Sequence, residues 1–229
     1  MPEPAGRRPA GQRLILAAAA TVSLTGVLLI GFGLSGLLTP APEAAPSPAA
    51  HKPTATRHRV FDVPPGHVAK PMKAARPVAV YIPAIGVAAP LMELGLDAEG
   101  AIENPPFQPP NLAGWYRYGP VPGQRGAAVI TGHLDSRTGP AVFASLRDVR
   151  KGDQIQVMRA DRSVAVFVVD KVEHTPKRSF PTRKVYGKVG YPALRVITCG
   201  GAFDRATGSY RENTIVYAHL ALAHYPGRS

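Results

Sequence analysis

Three residues carry side chains that could act together in covalent chemistry. Cys199 is the only cysteine among 229 residues, so it has no disulfide partner within the chain. It follows the apolar run Leu194-Arg195-Val196-Ile197-Thr198 and precedes Gly200-Gly201. His133 follows a matching run: Val129-Ile130-Thr131 leads into Gly132-His133 as Val196-Ile197-Thr198 leads into Cys199. Two strands that end alike, laid side by side and parallel, deliver both side chains to one rim. Arg211 opens a last apolar strand, and a strand antiparallel to the Cys199 strand returns that cation to the same rim.

The chemistry explains why each type is needed. A thiolate is the nucleophilic form of cysteine, and a neighbouring imidazolium favours it. The same histidine then protonates a leaving amine. Attack on a carbonyl places negative charge on oxygen, which a guanidinium offsets without transferring a proton. This set describes acyl transfer through a thioester. Bland readings stand beside it, since a lone cysteine is commonly a small buried hydrophobe and a histidine after an apolar strand is commonly a polar strand end. His174 and His219 are rivals for the base, and Arg205 for the cation. Asp135, two residues after His133, either orients the imidazole or caps a turn. No paired-histidine or Cys-x-x-Cys spacing occurs, so the sequence predicts neither a metal nor a cofactor.

The elements that must position these residues are mostly strands. Val78 to Ile82 and Val87 to Leu94 flank a Pro83–Gly86 turn, and Asn104 to Pro110 is too rich in proline for regular structure. Gly126 to Thr131 reads as a buried strand ending at Gly132. Pro140 to Val149 reads as one short helix, with Val142, Phe143, Leu146 and Val149 on one face. Gln154 to Arg159 and Ser163 to Val172 form a hairpin, and Leu194 to Thr198 and Asn213 to Leu220 supply the last strands. Many short strands and few helices point to a mainly β, closed or nearly closed barrel. A long connection from His174 to Pro192 carries Phe180, Val185 and Tyr186 among basic residues and suits the wall of a substrate groove.

The region before the barrel predicts its compartment. Arg7, Arg8 and Arg13 precede an uncharged run over residues 14–38, long enough as a helix to cross the ~30 Å core of a bilayer. The flanking arginines keep residues 1–13 cytoplasmic and send the rest outside. A cleaved signal peptide, the alternative, has an apolar region of only ~7–15 residues. Residues 39–76 are rich in Pro and Ala and read as an extended linker, leaving 77–229 as one domain, expected to be monomeric. The formal net charge of +12 divides evenly: nine basic against three acidic residues before position 77, and 18 against 12 after it. Such a spread fits attraction to a polyanionic envelope or lipid surface, and no basic stripe interleaved with aromatics suggests nucleic acid.

Taken in order, Thr131-Gly132-His133, Ile197-Thr198-Cys199 and Arg211 twelve positions later resemble a sortase over residues 77–222, with the anchor and linker also matching. The resemblance implies an eight-stranded barrel with one or two short helices. It also implies a membrane-bound cysteine transpeptidase of a Gram-positive cell. Such enzymes cut a C-terminal Leu-Pro-x-Thr-Gly-like sorting signal after Thr and pass the acyl group to an amine of a peptidoglycan precursor, or to water. By position Cys199 would be the nucleophile, His133 the general acid, Arg211 the oxyanion stabiliser, and Thr198 would line the substrate site. Arg195-Val196-Ile197-Thr198-Cys199 departs from the commoner Thr-Leu pattern and, with His-Leu-Asp-Ser and Cys-Gly-Gly, is similar to actinobacterial class F sortases. An L,D-transpeptidase is a competing reading, but its Ser-x-Gly-Cys motif is replaced here by Thr-Cys-Gly-Gly. A membrane-tethered binding module with Cys199 as a core residue is the non-enzymatic alternative.

Overall fold

The computed structural model describes residues 60–227. The expected anchor over 14–38, and the linker up to residue 59, lie outside the described residues. Among those described, no helix is long and apolar enough to cross a membrane.

The chain forms β1 (Pro77–Ile82), β2 (Val87–Leu94), β3 (Ala113–Tyr116) and β4 (Gly126–Gly132), then a two-stranded ribbon of β5 (Asp135–Ser136) and β6 (Gly139–Pro140). It continues through β7 (Gln154–Arg159), β8 (Val164–Pro176), a single helix turn α1 (Thr182–Tyr186), β9 (Pro192–Asp204) and β10 (Ser209–His224). Eight strands close a barrel in the order β1-β2-β3-β4-β9-β10-β8-β7, which leaves no free edge. The two parallel pairs are β2 with β3 and β4 with β9, so the parallel juxtaposition expected of the two Val-Ile-Thr strands is present.

Two apolar clusters hold this barrel. Inside, Ile82, Ile130, Phe143, Leu146, Ile155, Phe167, Leu194, Val196 and Val216 form the core. Outside, Val129, Ile197, Ile215 and Tyr217 are covered by Val185 of α1, with Phe180, Ile102 and Tyr116 packed at the margin. The middle of β9 is therefore buried on both faces, which is why Leu194 to Ile197 lacks the alternation of a half-exposed strand.

Four expectations need correction. Residues 141–149 do not form an α-helix: Ala144, Leu146, Asp148 and Val149 all donate to the carbonyl three residues back, and Leu146–Asp148 is a 3-10 turn. Val142 and Phe143 instead donate to Pro110 O and His133 O, so outside carbonyls fix the start of the segment. The four apolar side chains are buried as the helical spacing required. The long connection is also shorter than expected, because β8 runs on to Pro176 with His174 inside it, and a 3-10 turn and α1 fill most of the remainder.

Strand β9 does not stop at Thr198. It continues through Cys199 and the glycines to Asp204, paired with β10. Glycine weakens a strand by lacking a side chain to pack, but its backbone can still join the ladder. At Gly201 the ladder needs it: φ is +70°, and a Cβ there would sit 2.7 Å from Glu212 Cγ. Lastly, residues 60–76, which composition groups with the linker, lie against the barrel. Met72 is buried, Ala69 N–H donates to Leu220 O and Met72 N–H to Gly123 O. The fully buried Arg159 donates to the carbonyls of Lys73 and Ala75 and to Ser163 Oγ.

Candidate functional site

The site is built on the outer face of β4, β9 and β10. Register pairs Val129 with Arg195 and Tyr217, then Thr131 with Ile197 and Ile215, then Cys199 with Asn213. Side chains two apart share a face, so Cys199 stands one rung beyond Ile197 on the side away from the core. Strand β4 ends at Gly132, and the register continued past its last pair, Thr131 with Ile197, sets His133 level with Cys199. Thr198 Oγ1 donates to Gly132 O at 2.8 Å and pins the two strands at this level. The Thr198 side chain itself is 4% exposed and lies on the opposite face from Cys199, so it stitches the sheet, where the family resemblance implied that it lines the substrate site.

His133 and Cys199 thus stand at one level, although only His133 follows a strand end; Cys199 lies within the β9–β10 hairpin, which extends past β4. The Cys199 residue is partly exposed and free. The His133 imidazole lies under the 104–110 loop, with Nε2 2.6 Å from Pro105 O and the Phe107 ring stacked on it at 4.2 Å and 16°. Arg211 is inside β10, at the point where the ladder slips between Glu212 and Tyr210. Its side chain is exposed, and its Nε lies 3.3 Å from Asp204 Oδ2, so the guanidinium is paired with that carboxylate.

Of the rivals, His219 and Arg205 are placed elsewhere, while His174 lines the cleft that Cys199 also lines. His219 Nδ1 is 2.6 Å from Asp170 Oδ1 on the outside of β10, and His174 Nδ1 is 3.1 Å from Thr214 Oγ1. Arg205 is exposed in the tight turn between β9 and β10. Asp135 does not orient the imidazole: its Oδ2 accepts from Tyr210 Oη at 2.5 Å, and that hydrogen bond pushes the Tyr210 phenol up from its ordinary range.

One recess opens at Cys199 and a second lies two rungs further along the sheet. A cleft of about 950 Å³ has Cys199, Gly200 and Gly201 on one wall and His174, Thr214 and Asp135 among its other lining residues. A smaller apolar recess of about 530 Å³ lies beside Val129 and is lined by Ile102, Tyr116, Phe180 and Tyr186. Burial in it pushes the Tyr186 phenol up. Of the residues singled out in the long connection, Phe180 and Tyr186 line this recess, whereas Val185 is fully buried beneath it against Val129 and Ile197. Among the described residues no group of three or more His, Cys, Asp or Glu is placed to hold a metal ion. Chemically, the rung offers a thiol, an imidazole at the same level, and a cation one residue beyond Glu212.

Sequence reasoning missed Pro105, Phe107 and Asp204. The proline-dense loop was visible as a loop, but no spacing ties Pro105 to a histidine 28 positions later. Asp204 ends the extension of β9, which a strand stopping at Thr198 would not have.

A sortase domain family model matches residues 80–221. Among solved structures the chain is similar to Streptococcus pneumoniae sortase C, with 21% identity, covering 67% of this chain and 72% of that one, at a TM-score of 0.50. It is also similar to Listeria monocytogenes sortase A (16% identity, 66% and 90% covered, TM-score 0.49) and Corynebacterium diphtheriae sortase A (22%, 68% and 66%, TM-score 0.47). At these identities the structural likeness concerns the fold alone. No curated protein sequence gives a significant match.

Proposed function

The chain belongs to the sortase family of cysteine transpeptidases, and from that premise we propose that it is a membrane-anchored, class F-like enzyme acting on a Leu-Pro-x-Thr-Gly-like sorting signal. Cys199 attacks the Thr carbonyl and His133 protonates the amine that leaves with Gly. A cell-wall amine, or water, then resolves the thioester. Arg211 swings from Asp204 to offset the charge on the carbonyl oxygen. The observation that carries this reading is the parallel pairing of β4 and β9 with Thr131 opposite Ile197, a register that, continued two residues, sets His133 level with Cys199. The apolar recess beside Val129 suits the Leu-Pro end of such a signal, two rungs from the thiol. The domain would stand outside the cell, held by the helix over 14–38.

The test incubates the purified full chain with a Leu-Pro-x-Thr-Gly peptide and a primary amine and follows the mass of protein and peptide. A thioester adduct, peptide cut after Thr and a new amide to the amine are expected, all absent in Cys199→Ala. An adduct that persists in Cys199→Ala, or no cleavage across a panel of sorting sequences, overturns the reading.

A further inference from the structure

We propose that the 104–110 loop is the positioning element of His133: the Pro105 carbonyl sets its tautomer and the Phe107 ring sets its plane, so that Nδ1 is the nitrogen that exchanges protons with Cys199 and the leaving amine. This rests on the role given to His133 above.

A peptide carbonyl only accepts hydrogen bonds. The 2.6 Å contact between His133 Nε2 and Pro105 O therefore requires the proton on Nε2, and the neutral ring keeps its lone pair on Nδ1. This mirrors the way a buried carboxylate orients the histidine of a hydrolytic triad, with the two ring nitrogens exchanged and a backbone carbonyl in the carboxylate's place. A side-chain carboxylate close in sequence does not fill that position, since Asp135 is engaged by Tyr210. Phe107 lies face to face with the imidazole at 4.2 Å and is 58% exposed, too exposed for a core residue. Loop and histidine share one reference segment: Val142 N–H donates to Pro110 O at 2.8 Å and Phe143 N–H to His133 O at 3.0 Å.

The proton balance closes through Nδ1 alone. The Cys199 Sγ proton passes to Nδ1, giving an imidazolium whose Nε2–H still donates to Pro105. The thiolate forms the C–S bond, the scissile C–N bond breaks, and the Nδ1 proton leaves on the amine. His133 returns to its Nε2–H tautomer, ready for the second half-reaction, in which Nδ1 takes a proton from the incoming nucleophile.

Long-range proton–nitrogen correlation spectra of the nitrogen-15-labelled full chain, recorded where His133 is neutral, test the tautomer without any turnover. A single Nε2–H form with bare Nδ1 is expected. Phe107→Ala should give a mixture of tautomers and lower kcat about 10-fold, with KM changed less than about twofold, the pattern of a misaimed catalytic group. Phe107→Tyr should restore both readouts and Phe107→Leu neither, because Leu fills space without offering a flat face. An Nδ1–H form or rapid averaging in the parent chain overturns the proposal, as does a Leu variant equal to the parent or a loss confined to KM. Absence of turnover in the parent chain would instead overturn the role of His133 as an acid, with the spectra still reporting on the loop.

Discussion

The two faces of the β4–β9–β10 sheet are built from neighbouring residues yet do opposite work. On the inner face Ile130, Val196 and Val216 are fully buried in the closed core, and the rung above them ends in Thr198 tied to Gly132. On the outer face Val129, Ile197 and Ile215 are just as apolar, but their cover is one helix turn and loop residues. That cover stops short of Cys199. The inner face holds the register that puts Cys199 beside His133, and the outer face lends those positions to a groove. Aiming a side chain takes a rigid sheet, and leaving it accessible takes a cover that ends before it.

The largest effect that tests this contrast is at the thiol. Cys199→Ala should abolish peptide cleavage, a loss of about 10⁴-fold or more as expected for removal of a nucleophile, with the thermal midpoint unchanged. A cysteine serving only as packing would show the reverse, measurable by peptide turnover and calorimetry on the same sample. Next, Arg211→Lys should lower kcat/KM about 100-fold, because a point charge replaces a fork aimed at the developing oxyanion. Asp204→Asn should leave that step intact, since it only frees the guanidinium; a 100-fold loss there would assign the carboxylate a direct role.

Stability should separate the faces. Val196→Ala, in the core, is expected to cost about 2–3 kcal/mol in denaturant unfolding, with KM little changed. Val185→Ala, in the outer cover, should cost less, about 1 kcal/mol, because α1 can settle into the gap, and should raise KM. Equal costs with equal KM would mean the cover is as fixed as the core.

The smallest effect is with pH. Glu173 accepts from Lys171 Nζ at 2.6 Å and lies 3.8 Å from Lys184 Nζ of α1, and Lys171 first, then the Lys184 charge, holds its carboxyl below the ordinary value of 4.5. A lowered folded pKa gives stability that is present above that ordinary value and lost as pH falls through the lower one. The pair is largely solvent-screened, so the contribution is about 0.5 kcal/mol. The hydrogen-exchange protection of α1, after division by the intrinsic rate at each pH, should fall as pH drops below the ordinary carboxyl value while that of β9 holds. Glu173→Gln should remove that pH dependence.

Much of this arrangement was legible in the chain. The repeated Val-Ile-Thr before His133 and Cys199 indicated parallel neighbours, and Val142, Phe143, Leu146 and Val149 are all buried as their spacing required. Their helix was not formed, because helical periodicity reports which side chains turn inward and not which carbonyls the backbone will meet. The length of β9 and β10 was hidden because strand pairing is a property of two segments, and glycines that look like a break can be carried by a partner ladder. Residues 60–76 were hidden for a similar reason: Met72 and the carbonyls of Lys73 and Ala75 have meaning only once Arg159, some 85 positions on, is buried beneath them.

By itself, then, the sequence determined the reactive types, their order and the strands that carry them, since side-chain chemistry and local periodicity are written residue by residue. Which face each side chain takes was left to the tertiary structure. The Pro105–Phe107 cap on His133, the pairing of Arg211 with Asp204 and the inward turn of Thr198 all depend on closure of the barrel. Closure sets the register between strands remote in the chain, and a shift of one residue would exchange Thr198 for Cys199 on the reactive face.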